Sequence, residues 1–187
     1  MSVQAEKRLF SVTEYYRMAE AGILSEDDRV ELIEGEIVIM SPIGSPHSAC
    51  IDRLTRLLVY GAGEAAIVRV QNPIHLSDYS EPQPDLCLLK PREDFYADHH
   101  PTPSDVLIVI EVADTSLAYD QTVKATLYAK AGIAEYWLVD LNHDLITVYT
   151  QPVNGYYRNS QRFGRGDSLS SAAIPGLTLT VDDMLGR

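Results

Sequence analysis

Val106-Leu107-Ile108-Val109-Ile110-Glu111-Val112 is a nearly unbroken aliphatic run. It is too short for a typical helix and rich in β-branched side chains, which predicts a strand buried on both faces. Glu111 breaks the run. A carboxylate at the end of a central strand is costly to bury unless a cation, a proton or hydrogen-bond donors meet it. Partners for Glu111 therefore have to come from elsewhere in the chain.

Two candidates stand out. Asp85 opens the strand-like Asp85-Leu86-Cys87-Leu88-Leu89 directly after Pro84. If that strand lies beside 106–112, the carboxylates of Asp85 and Glu111 converge at one end of a sheet. Two carboxylates about 4 Å apart repel by roughly 4 kcal/mol at an effective dielectric of 20, and a divalent cation reverses the sign of that interaction. An all-oxygen donor set, with no thiolate or clustered imidazole, suits Mg²⁺ or Mn²⁺ better than zinc. The second candidate is Lys124. After Asp114-Thr115-Ser116, which offer an N-cap, a helical pattern runs to Ala131 and stops at Gly132. Helical spacing puts Asp120, Lys124 and Tyr128 on one stripe, next to the apolar stripe Val123-Leu127-Ala131, so Lys124 can reach over the sheet end.

These residues resemble the PD-(D/E)XK nuclease superfamily: Pro84-Asp85, then Glu111-Val112, then a lysine. Position 113 is Ala where that motif's lysine usually stands. The fuller ordered set is similar to one branch, the Uma-type restriction endonuclease family. It comprises Val30-Glu31-Leu32-Ile33-Glu34-Gly35-Glu36, His47, Pro84-Asp85-Leu86, Ile110-Glu111-Val112, Asp120, Lys124, Tyr128 and Glu135-Tyr136-Trp137-Leu138-Val139-Asp140. In that branch the lysine is placed on the following helix, the position of Lys124, and the likeness spans about residues 10 to 180. It implies an α/β, restriction-endonuclease-like fold, a central mixed β-sheet flanked by helices. It also implies an Mg²⁺-dependent (or Mn²⁺-dependent) endonuclease acting on phosphodiester bonds in nucleic acid, with DNA the expected substrate. Asp85, Glu111 and the Val112 carbonyl are then the metal ligands and Lys124 the catalytic cation. Glu31, His47, Asp120 and Tyr128 are supporting residues, with Asp120 expected to orient Lys124. Homodimerisation is expected because many nucleases of this superfamily pair their sites to cut two strands.

The 187 residues, 45% hydrophobic and 22% charged, suit one domain over 1–187 with a sizeable core. Apolar runs fall short of a membrane span, and no signal-type apolar core follows Lys7-Arg8, so a cytoplasmic protein with no membrane partner is expected. Cys50 and Cys87 have no CxxC spacing and read as core residues. The net charge of −12 counts against nucleic-acid binding, which usually needs a basic footprint. Arg158, Arg162 and Arg165 are either such a footprint or the exposed side of a hairpin.

Along the chain, residues 11–21 read as an amphipathic helix with Ser11 and Glu14 in capping-box spacing. Arg29 to Met40 alternates and pivots on Glu34-Gly35, which predicts an added N-terminal hairpin. Glu31 lies on it, as a metal-site partner or a surface carboxylate. Ser45-Pro46 suggests an N-cap followed by proline at the first helical position, with Gly61 and Gly63 ending the helix. His47, at its start, contacts substrate or plays a structural part. Residues 65–70 and 73–76 read as two short strands or one bent strand, with Gln71 between them. Lys90 to Pro103 is a polar loop of lid-like length holding His99 and His100. Glu135 to Asp140 predicts a strand parallel to 106–112, since a helix of crossover length joins them. A hairpin follows through Asn142-His143, then a turn at Asn154-Gly155, and the tail forms a short strand and a helical turn near Asp182.

Two other function classes remain open. A catalytically silent nuclease-fold module for dimerisation or partner binding fits the acidity and the displaced lysine. A metal hydrolase of small phosphoesters fits the carboxylate pair alone.

Overall fold

The computed structural model describes residues 7–25 and 27–186. Residues 1–6, 26 and 187, included in the single-domain expectation, lie outside the described residues. Helix α1 (Val12–Glu20) is closed by the Ser11–Glu14 capping box. Strands β1 (Val30–Ile33) and β2 (Glu36–Ile39) form the expected antiparallel hairpin. Its turn needs Gly35 at φ +82, where a Cβ would also come within 2.6 Å of Leu9 Cβ.

Helix α2 (Ser45–Ala62) starts one residue earlier than expected, with Gly44 rather than Ser45 as N-cap. It runs through Gly61 and ends at Gly63. Gly61 therefore serves packing, because a Cβ there would meet Leu177 at 2.7 Å. A short 3₁₀ turn (Gly63–Ala65) leads into β3 (Ile67–Val70). Residues 73–76 are extended but form no strand. Pro73 and Pro82 lack donors, and the amides of Ile74, His75 and Leu76 bond three separated acceptors, Pro82, Pro101 and Ser80.

The main sheet continues with β4 (Leu86–Leu89), β5 (Val106–Ala113), β6 (Glu135–Asp140), β7 (Leu145–Val153) and β8 (Tyr156–Phe163) in the order β3-β4-β5-β6-β7-β8. Only β5 and β6 are parallel, so the sheet is mixed. Asp85 precedes β4 rather than opening it. The crossover from β5 to β6 consists of α3 (Leu117–Tyr119), a π-helical turn (Asp120–Lys124) and α4 (Ala125–Lys130). A uniform α-helix was the expectation there. The amide of Ala125 instead reaches back to the carbonyl of Asp120, a five-residue closure. The extra residue in that turn rotates Val123 out of the apolar stripe, leaving it 38% exposed. Strands β9 (Ser168–Ser170) and β10 (Thr178–Thr180) pair separately, and α5 (Val181–Leu185) follows, capped by Thr180.

Alternation along β5 divides the core. Ile108, Ile110 and Val112 pack with α2 residues such as Leu54 and Leu58. Val109 and Ala113 face the other layer, with Tyr128 and Tyr136. Glu111 shares the parity of Val109 and Ala113 and so is aimed at the π turn and α4. Among the described residues no helix is long and apolar enough to cross a membrane.

Candidate active site

Register brings the two strand acids together. Leu86 pairs with Ile110, so one step outward Asp85 comes opposite Glu111. The Asp85 amide donates to Glu111 Oε2 at 3.2 Å. Because β4 begins only at Leu86, the Val112 amide has no strand partner on that side and donates to Asp85 Oδ2 at 2.9 Å. The N–H and C=O of one strand residue point to the same side. The Val112 carbonyl therefore leaves the strand toward Asp85.

Asp85 is held from two more directions. His47, in the first turn of α2, places Nε2 3.0 Å from Asp85 Oδ2, and Gln71 donates through Nε2 to Oδ1 at 3.4 Å. That hydrogen bond to Asp85 raises the His47 pKa above its ordinary value despite partial burial. Gln71 takes a left-handed backbone (φ +50), a strained conformation for a residue with a Cβ. Its amide bonds the Asp85 carbonyl at 3.0 Å, so side chain and backbone together fix the approach to β4.

Lys124 occupies the centre. Its ammonium donates to Glu31 Oε2 at 2.6 Å and to Glu111 Oε1 at 3.2 Å, and all three side chains are at least nine-tenths buried. Burial opposes the charge on Lys124, but the carboxylates of Glu111 and Glu31 outweigh it and raise its pKa above the usual lysine value. Lys124 is therefore a fixed cation, unsuited to act as a base near neutral pH. Tyr128 donates to Glu111 Oε1 at 2.6 Å. Burial pushes the Glu111 carboxyl up to about 8, against the pull of Lys124. Three donors on its two oxygens suit the carboxylate form, and any added cation favours that form further.

Glu31 also accepts the Gln83 amide at 3.2 Å, which ties the N-terminal hairpin to the loop leading into Asp85. Asp120 does not form the expected pair with Lys124. Its Oδ2 accepts from Ser116 Oγ at 2.5 Å, and its carbonyl accepts from Tyr136 at 3.1 Å. The π turn offsets the two side chains, and Glu31 and Glu111 take the ammonium instead. Burial raises the Asp120 carboxyl to about 6.

Glu31, His47, Asp85, Glu111, Val112, Ser116, Asp120 and Lys124 line one cavity of about 410 Å³, together with Arg29 and residues 38–44. Five acids (Glu31, Asp85, Glu111, Asp114, Asp120) line it against the Lys124 ammonium, the Arg29 guanidinium and the His47 imidazole. Negative charge remains for a cation to neutralise. Among the described residues no three His, Cys, Asp or Glu side chains form a ready-made metal cage. Mg²⁺ does not need one, since it is commonly held by one or two carboxylates with waters completing its shell. Asp85, Glu111 and the Val112 carbonyl fit that pattern.

Other candidates from the sequence lie elsewhere. His99 bonds Arg92 and His100 stacks on Tyr16, so the 90–103 loop does not cover the cavity. Arg158 and Arg162 lie exposed on β8, and Arg165 pairs with Asp144 and Asp182. None lines the cavity, which leaves the hairpin reading of these arginines. Tyr136 and Trp137 are fully buried core residues. Arg29, Ser116 and Tyr119 were not singled out from sequence. Ser116 at four residues before Asp120 was a readable signal; Tyr119 was not, since an α-helix turns it away from Lys124.

A family model described as "Putative restriction endonuclease" (Uma2) matches residues 12–182. The chain belongs to this family. The Uma2 fold also recurs in a solved structure, that of a "putative nuclease" from Anabaena variabilis ATCC 29413. The two align over 94% of this chain and 97% of the other, with 19% identity and a TM-score of 0.72. Comparison with curated proteins gave no match. The Uma2 match includes Glu31, Asp85, Glu111 and Lys124 within its bounds.

Proposed function

We propose that this chain is a divalent-metal-dependent endonuclease that hydrolyses phosphodiester bonds in DNA. The observation that carries the reading is the meeting of Lys124 with Glu111 beside Asp85, from three separate chain segments, in one acid-lined cavity. Membership of an endonuclease family supports it. Asp85, Glu111 and the Val112 carbonyl would hold Mg²⁺ or Mn²⁺. The bound ion supplies Lewis-acid stabilisation of charge developing on the scissile phosphate and a lower pKa for coordinated water.

The chain's own groups do the rest. Lys124 presents a fixed positive charge to the attacked phosphate, and Glu31 holds it in place. Tyr128 orients Glu111, while His47 and the Val112 amide orient Asp85. Asp120, raised to about 6, is suited to accept a proton from attacking water at Oδ1, the oxygen not engaged by Ser116. Cutting both strands of a duplex takes two such sites, so a homodimer is the active form in this reading. Residues 1–187 are taken as one domain working in the cytoplasm.

The test is duplex cleavage with Mg²⁺ or Mn²⁺ by the wild type, Asp85→Ala and Lys124→Ala. Metal-dependent cutting that both substitutions abolish supports the reading. No cutting by the wild type favours a silent nuclease-fold module, and cutting that persists in both variants points to contamination or to another site.

A further inference from the structure

Among the described residues, three side-chain polar atoms are buried without a protein partner: His47 Nδ1, Arg69 Nη1 and Tyr119 Oη. Two of them, on His47 and Tyr119, belong to residues lining the acid cavity. No protein group pairs with the Tyr119 hydroxyl, so a phenylalanine would pack the same ring without losing a protein hydrogen bond. The hydroxyl at Tyr119 therefore calls for an explanation other than packing.

The π turn supplies its geometry. Tyr119 is the last residue before the turn, and a five-residue closure makes it a neighbour of Lys124, which regular α-helical spacing would not do. The phenol sits in the field of Glu31, Lys124, Asp120 and Glu111. Burial and the Glu31 charge raise its pKa to about 12, so it remains a hydrogen-bond donor. The ammonium and the neutral phenol are both donors on the cavity lining, so an anionic oxygen carried in by the substrate would meet two donors there.

We propose that Tyr119 is a further catalytic residue, its hydroxyl donating to a non-bridging oxygen of the scissile phosphate next to Lys124. The assignment rests on the nuclease reading above. It gives the hydroxyl, which no protein group engages, an acceptor that arrives with the substrate, at the place where charge develops.

Tyr119→Phe tests it through two readouts. Metal-dependent duplex cleavage should fall about 10- to 100-fold in kcat, with KM within about threefold of the wild type. The melting temperature of the metal-free protein should stay within about 2 °C of the wild type, because no protein hydrogen bond is lost. A merely structural tyrosine would lower both. If the wild type cuts and Tyr119→Phe cuts as fast, or if the variant melts several degrees lower, this assignment is overturned while the nuclease reading stands. If the wild type does not cut, both fall together.

Discussion

Lys124 Nζ lies 2.6 Å from Glu31 Oε2, although 93 positions separate the two residues. The contact joins the N-terminal hairpin to the crossover that follows the central strand. It makes the hairpin part of the site rather than an ornament on the fold.

Glu31→Gln should therefore affect both stability and chemistry. A buried charge-assisted hydrogen bond contributes about 1.5–3 kcal/mol, which for a chain of this size corresponds to roughly 3–10 °C in melting temperature. Thermal unfolding should show a drop in that range. Duplex cleavage should fall at least about tenfold because Glu111 is then the one carboxylate that holds the Lys124 ammonium.

The turn of the same hairpin offers a test away from the charges. Gly35 has φ +82, and an added Cβ would lie 2.6 Å from Leu9 Cβ. Left-handed backbone alone costs a residue with a Cβ about 1–2 kcal/mol. Gly35→Ala should lower the melting temperature by about 5 °C or more once the clash is added, and Gly22→Ala, which meets nothing within 4 Å, should lower it less.

Much of this is legible in the sequence. The aliphatic run at 106–112 identifies the central strand, and its single carboxylate marks where the sheet needs partners. Capping signals locate α1, and the crossover length makes β5 and β6 parallel. What could not be read has a physical cause in each instance. A π turn differs from an α turn by one residue and leaves no periodic signature, so helical spacing puts Val123 in the apolar stripe and Asp120 beside Lys124, and gives no sign of Tyr119. The Glu31–Lys124 pair is set by tertiary packing, and local pattern cannot choose between a surface and a buried carboxylate on the hairpin. Residues 73–76 have strand-like composition, but prolines at 73 and 82 remove the donors a ladder needs.

Acid–base behaviour follows from burial of the site. Burial raises the Asp120 carboxyl from 3.8 to about 6. Between those values Asp120 binds more protons in the folded chain than in the unfolded one, so its contribution to stability falls as pH rises from about 4 to about 6. Unfolding in chelator should show that decline as a melting temperature of the wild type that falls relative to Asp120→Asn from pH 4 to pH 6. Binding of Mg²⁺ requires the carboxylates, so protection by Mg²⁺ should grow with pH. A wild type that gains on Asp120→Asn from pH 4 to pH 6 in chelator would contradict the assignment.

The cysteines should be inert. Cys50 is buried and its thiol is pushed up to about 11, chiefly by desolvation; Cys87 is also buried, and desolvation raises its thiol too. Alkylation at pH 8 should leave both unmodified in the native protein and label both after unfolding, as read by intact mass.

The account stands most directly on whether Asp85 and Glu111 share a divalent ion. Titration of Mn²⁺ into the metal-free protein at pH 8, followed by the loss of the free-ion electron paramagnetic resonance signal, measures this without any substrate. Saturable binding by the wild type that Asp85→Asn and Glu111→Gln each weaken at least about tenfold, while Glu36→Gln on the exposed hairpin leaves it unchanged, is the predicted result. Binding of equal strength in all four proteins, or no saturable binding by the wild type, would contradict it.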